Sequence, residues 1–194
     1  MSDTLPTHQE NEHASSPHTF KNRMLRVIWG IVQLTLFRTS PRPFHRWRIM
    51  LLKLFGADVT MKSRVYPRAK IWAPWNLSMA DYATIGDDVD CYCVERIRIG
   101  ERSTISQYSY LCGATHDYED KDLPLIPKPI TIGADVWITA DVFVAPGVTI
   151  HDGVVVGARS SVFHDLPQWT VYAGTPTKPI GPRTIKDDQR GVES

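Results

Sequence analysis

The chain has 194 residues, 42% of them hydrophobic, and 22 Lys and Arg against 21 Asp and Glu leave a formal net charge of +1. That is enough chain for one domain with its own core, and a balance so near neutrality excludes a molecule that holds nucleic acid by overall charge. Three cysteines (Cys91, Cys93 and Cys112) are an odd number without metal-ligand spacing or a secretory signal, so a disulfide framework is excluded and a reduced, cytoplasmic setting is expected.

Residues 1–20 are polar, with Ser, His, Glu and Pro and little that packs, and read as a disordered tail. From Lys21 the composition changes. The segment 21–56 carries eight Lys or Arg before Phe55, no acid, and the tryptophans Trp29 and Trp47. Its apolar run, Met24 to Phe37, is 14 residues long and interrupted by Arg26 and Gln33, short of the roughly 20 residues a bilayer span needs. Pro41 and Pro43 then break the segment, and Phe44, Trp47, Leu51, Leu54 and Phe55 recur at helical spacing, so two short helices are expected. A basic, acid-free, tryptophan-bearing helix pair suits the anionic inner face of a cytoplasmic membrane. It also suits a cap on the open end of the next domain; the two readings are compatible.

From residue 57 onward the chain is organised by a repeat of six. Ile132, Ile138, Val144, Ile150, Val156 and Val162 share one frame, and four residues after each of the first five stands a small or β-branched residue: Val136, Val142, Val148, Val154 and Ser160. Helices repeat near 3.6 and strands at 2, so neither explains a clean six; a parallel β-helix does. Traced backward, Ile99, Ile105 and Leu111 continue the frame with Ser103, Ser109 and Thr115 at the small position. Before them come Met79, Ile85 and Cys91, then Val59, Val65 and Ile71. Three hexads make one triangular coil, so about five coils are expected within 57–168, Cys91 among their core residues, with a separate C-terminal segment at 169–194.

The repeat is interrupted once. Between His116 and Ile132, residues 117–131 leave the frame as a charged, proline-bearing loop, the kind of excursion a rigid scaffold uses to position function. His116 stands at its root, held by the coil on one side and sheltered by the loop on the other, where an imidazole can serve as a general base. His151 and His164 occupy ordinary corners, and three further histidines fall in the tail.

The stretch GATHDYED at 113–120, the runs ITIGADVWI and VAPGVTI, and the ending WTVYAGTPTKPIG resemble the hexapeptide-repeat acyltransferases. The N-terminal marks, Trp29-Gly30, Phe37-Arg38 with Ser40-Pro41-Arg42-Pro43, Leu54-Phe55-Gly56-Ala57 and IWAPWNL at 71–77, narrow the likeness to the colanic acid biosynthesis O-acetyltransferases. The resemblance spans about residues 21–184. It implies a left-handed β-helix and a homotrimer with active sites between prisms, using acetyl-CoA as acyl donor with no metal. It further implies direct acetyl transfer to a sugar hydroxyl in exopolysaccharide assembly, and the loop and the basic helices together favour a saccharide acceptor on a lipid carrier. His116 matches the family's catalytic base. Ala140 matches the position whose backbone N–H receives the oxyanion, Trp137 the indole along the pantetheine channel, Ala158 and Arg159 the coil backbone beside the pantetheine arm, and Lys178 the basic residue near the cofactor phosphates.

One departure stands out. Where the family carries a Tyr-Asn pair that contacts the acceptor or the base, this chain reads Asp90-Cys91-Tyr92-Cys93. A thiol is a weak donor and a weaker acceptor, so Asp90 or a loop carboxylate such as Asp117 is the candidate to orient the base, unless acceptor choice has shifted or activity has weakened. Three other functions compete. The same fold could acetylate a free small molecule, such as an amino sugar, an antibiotic or serine, on N or O, and His116 does not discriminate among these. A non-catalytic β-helix interaction module needs neither the loop nor a histidine at its root. A zinc carbonic anhydrase of this shape needs three converging imidazoles, and after His116 there is no further histidine until His151.

Overall fold

A computed structural model describes residues 20–185. The expectation for the tail at 1–20 therefore falls, but for Phe20, outside the described residues. Among those residues the body is a prism of three parallel sheets. Face one stacks Asp58–Val59, Leu77–Met79, Ile97–Ile99, Ile130–Ile132 and Thr149–Ile150. Face two stacks Arg64–Val65, Thr84–Ile85, Thr104–Ile105, Trp137–Ile138 and Val155–Val156, and face three Lys70–Ile71, Asp90–Tyr92, Tyr110–Cys112, Phe143–Val144 and Ser161–Val162. Each strand pairs in parallel with its counterpart one coil away, so the chain rises through one layer for every three hexads.

The six-residue frame is the interior column. Every aliphatic hexad position from Val59 to Val162 is buried, and so are Ser103, Ser109 and Ser160 at the small position. The two buried serines of the third coil are satisfied: Ser103 Oγ donates to the Gly133 carbonyl at 2.6 Å and Ser109 Oγ to that of Thr139 at 2.9 Å. Cys91 lies in the same column, its thiol held protonated by a hydrogen bond to Cys93 and by burial. Five coils are complete, and the C-terminal segment adds part of a sixth. Leu166 bridges to Ile150 on face one, Thr170–Ala173 extends face two in parallel, and Lys178–Pro182 folds back antiparallel as its last strand.

Two helices, α1 (Phe20–Val32) and α2 (His45–Leu54), close the first coil, with a π-helical turn at Gln33–Phe37 extending α1. An open coil presents unpaired strand carbonyls, and the cap reaches one on each face. Lys53 Nζ donates to Val59 O at 3.0 Å, Arg48 Nε to Val65 O at 2.6 Å, and the Trp29 indole to Ile71 O at 2.7 Å. Arg48 is wholly buried, and its remaining donors meet Ser40 Oγ and the carbonyls of Pro41 and Arg42. This centre displaces the buried face of α2 from the apolar stripe that spacing marked. Of that stripe only Leu51 is fully buried; Arg48, Ile49 and Leu52 face the prism, while Phe44, Trp47 and Leu54 are exposed. The outer side of α1 is also apolar and exposed, through Phe20, Val27 and Ile31. No helix among the described residues is long and apolar enough to cross a membrane.

Candidate active site

The excursion from the repeat is a β-hairpin rather than a loop, and it starts earlier than the sequence frame suggests. Ala114–His116 pairs antiparallel with Leu125–Pro127, and the chain regains face one at Ile130, opposite Ile97. Thr115, expected at an interior position, is therefore exposed. The turn outward is made at Gly113, whose N–H donates to the Tyr92 carbonyl at 2.9 Å. A Cβ there would collide with that same carbonyl oxygen, so only glycine allows so close a backbone approach.

His116 ends the first hairpin strand. Its Nδ1 lies 2.6 Å from the Leu123 carbonyl oxygen. A carbonyl can only accept, so in the neutral ring Nδ1 carries the proton and Nε2 keeps its lone pair. Leu123 delivers that carbonyl from the left-handed region, φ 46°, a conformation uncommon for leucine and held here by a turn in which its N–H donates to Asp120 O at 2.9 Å. The carboxylate expected to orient the imidazole is engaged elsewhere: Asp117 Oδ1 accepts the Glu119 N–H at 3.1 Å, closing the turn. Orientation thus comes from the backbone of Leu123, a residue that no sequence signal marked.

The expected acceptor residues separate. Cys93 is completely buried, and its thiol exchanges hydrogen bonds with the N–H and carbonyl of Ala73, both at 3.2 Å, so it is withdrawn from any surface an acceptor reaches. At this position the thiol ties one coil to the next. Asp90 and Tyr92 stay on the outside of face three, Asp90 3.4 Å from Lys70 and Tyr92 edge-to-face with Trp72 and tilted against Tyr110, ring centroids 5.1 and 6.2 Å away.

The expected cofactor residues gather along one edge, where face two turns into face three. Ala140 and Ala158 occupy successive coils there, joined by the Arg159 N–H donating to Ala140 O at 3.0 Å. The Ala140 N–H has no hydrogen-bond partner among the described residues. Trp137 lies three residues before it, half exposed, its indole donating to Ser106 Oγ at 3.1 Å. Arg159 is exposed and 3.4 Å from Asp141. Lys178 opens the last strand opposite Ala173, with the preceding Thr177 N–H bonded to Ser161 O, which brings it to the top of the same edge. The edge combines a free backbone donor, an exposed indole and two cations, a set that suits an extended thioester ending in phosphates. His116 projects from the other end of face three, at the corner with face one. Within a single chain, base and edge are at different corners of the prism.

Known proteins share both the repeat and the wider chain. The family model described as bacterial transferase hexapeptide (six repeats) matches residues 129–164. WcaF of Escherichia coli K12, assigned by its name to acetyl transfer in colanic acid biosynthesis, is 49% identical over 171 residues, covering 87% of this chain and 94% of that protein. The galactoside O-acetyltransferase of the same organism is 35% identical over 127 residues, 64% of this chain and 56% of that one. Among solved structures, the hexapeptide-repeat acetyltransferase VCA0836 of Vibrio cholerae, complexed with acetyl-CoA, superposes with a TM-score of 0.77 at 25% identity, covering 88% and 93% of the two chains. A galactoside acetyltransferase in complex with CoA gives 0.68 at 26% identity, covering 89% and 90%.

Proposed function

Since this chain belongs to the hexapeptide-repeat acetyltransferases, with WcaF among its relatives, we propose that it transfers acetyl from acetyl-CoA to a hydroxyl of a saccharide in exopolysaccharide assembly, with His116 as general base. The observation that carries the proposal is the Leu123 carbonyl on His116 Nδ1, which leaves Nε2 bare and its direction set. His116 Nε2 takes the proton of the acceptor hydroxyl as its oxygen attacks the thioester carbonyl. The Ala140 N–H receives the charge that develops on the carbonyl oxygen. The imidazolium then returns its proton to the departing thiolate, so no acyl-enzyme is required. Trp137, Ala158, Arg159 and Lys178 hold the donor along the edge.

Because His116 and that edge occupy different corners, the reaction joins the His116 of one copy to the edge of another, which supports a homotrimer of prisms with a site in each cleft. The basic helix pair, apolar on its outer side at Phe20, Val27 and Ile31 and flanked by Lys21 and Arg23, supports contact with an anionic membrane and hence an acceptor on a lipid carrier.

The test is CoA thiol release with a panel of hydroxyl and amine sugars, wild type beside His116→Ala. A loss of at least ~100-fold with the oligomer intact is expected, since general-base catalysis contributes about 10²–10⁴. Unchanged turnover removes the mechanism, and release with amine sugars alone makes the enzyme an N-acetyltransferase.

A further inference from the structure

A cleft of about 520 Å³ lies between α1 with its π-helical extension and the outer surface of face three. Two chemistries meet in it. One wall is aromatic: it is lined by Trp72, Tyr92 and Tyr110, with Tyr92 edge-to-face against Trp72 and tilted against Tyr110. The other is cationic: Arg26, Arg38 and Lys70 line the same space. The Arg26 guanidinium sits 4.9 Å from the Trp72 ring, and its Nε is buried without a hydrogen-bond partner. Among the described residues neither Arg26 nor Arg38 forms an ion pair, and the one carboxylate in the lining, Asp90, is 3.4 Å from Lys70. Two guanidinium groups without a carboxylate partner, lining one cleft beside an aromatic wall, leave their charge to be met by an anion from outside. The π-helical turn is at the same place: Gln33 and Leu34 line the cleft, and Gln33 Nε2 bonds Ala69 O at 3.2 Å. Such turns recur at functional sites.

We propose that this cleft binds a glycosyl phosphate, with the sugar ring against the aromatic wall, its hydroxyls toward Asp90, and the phosphate between Arg26 and Arg38. An aromatic face suits the C–H side of a pyranose, and guanidinium groups suit phosphate oxygens. The strands that line the cleft also lead to the hairpin of the base. Tyr92 pairs with Cys112 in the face-three ladder, and the next residue, Gly113, is the root of the hairpin that carries His116. The inference rests on the saccharide acetyltransferase reading and narrows its acceptor to a phosphate-bearing saccharide. A nucleotide sugar and a sugar on a lipid diphosphate share that chemistry.

The experiment titrates the full chain at low salt with galactose, galactose 1-phosphate, UDP-galactose and galactose linked to farnesyl diphosphate, and tracks CoA release with each. Galactose 1-phosphate is expected to bind at least ~10-fold tighter than galactose, the gain of one charge-assisted contact. Arg26→Gln and Arg38→Gln should each remove most of that gain while acetyl-CoA affinity is retained. Arg26 packs on Trp72, so its variant also perturbs the cap, whereas Arg38 is exposed and Arg38→Gln keeps the test decisive. Tighter binding of the farnesyl form than of UDP-galactose assigns the phosphate to a lipid carrier, and the reverse assigns it to a nucleotide. Equal affinity for galactose and its phosphate, or a gain that survives both substitutions, overturns the cleft assignment. If neutral sugars are still acetylated in a His116-dependent way, the function stands without it; if no acceptor yields His116-dependent release, the underlying reading fails instead.

Discussion

The edge that carries Ala140 and the hairpin that carries His116 are built on opposite principles. The edge is made by repetition. Ala140 and Ala158 occupy equivalent corners of successive coils, and what they offer is backbone, fixed by the ladder and nearly indifferent to side chain. The hairpin is made by interruption. It depends on Gly113 for its exit, on a left-handed Leu123 for its turn, and on one hydrogen bond for the direction of its imidazole. A solenoid thus supplies long, tolerant binding surfaces almost as a by-product of stacking, while a single reactive group needs a local exception to the repeat.

The sharpest way to break this contrast is at Ala140. Ala140→Ser should leave turnover within about threefold, because any residue with an N–H supplies the donor, whereas Ala140→Pro should lower kcat by about 10²–10³, the usual effect of losing one oxyanion donor. Steady-state kinetics of the two variants decide the matter; equal activities would mean that the edge acts through something other than that N–H. Next in size is Arg48, which separates the cap from both. Arg48→Ala leaves the buried carbonyl of Val65 and the part-buried bonds to Pro41 and Arg42 unmade and should cost about 2–3 kcal/mol in urea unfolding. A loss under about 1 kcal/mol, less than one unmet buried carbonyl costs, would show the cap to be dispensable to the prism.

The smallest effect is one of pH. His45 has its pKa lowered, first by burial and then by the nearby charges of Arg48, Arg64 and Arg42, against a raising contribution from the Val65 carbonyl 3.1 Å away. The folded state therefore binds the proton less readily than the unfolded chain. Its contribution to stability is present above the ordinary value of 6.5 and is lost as the pH falls from there through the lowered folded value. Unfolding midpoints measured across that window should decline on acidification, and His45→Gln should flatten the decline. A slope unchanged by the substitution would place the acid sensitivity elsewhere.

Much of the fold was legible because a β-helix writes its period into the chain. Ile132 through Val162 and the three earlier triplets are interior, as the frame of six requires. The frame misled at Thr115, since the count continues through Gly113 while the backbone does not. It was silent on Trp72 and Tyr110, which neighbour Tyr92 only because strands about twenty residues apart stack at about 4.8 Å. Cys93 looked like a substituted acceptor contact, and only packing shows its thiol turned inward onto Ala73. In α2, spacing alone grouped Phe44, Trp47, Leu51, Leu54 and Phe55, yet a buried arginine with three carbonyls to meet turned the buried face toward Arg48, Ile49 and Leu52 and left Phe44, Trp47 and Leu54 outside.

By itself, then, the order of residues determined the prism, its interior column, the short helices before it and the fact that the repeat is interrupted, because all of these arise from hydrophobic period and its breaks, which are local properties of a chain. The partner of His116, the inward turn of Cys93, the face of α2 and the cleft of Arg26, Arg38 and Trp72 were decided by the tertiary structure. Each depends on groups brought together across coils or between cap and prism, where carbonyl direction and close packing select the contact and sequence spacing carries no record of it.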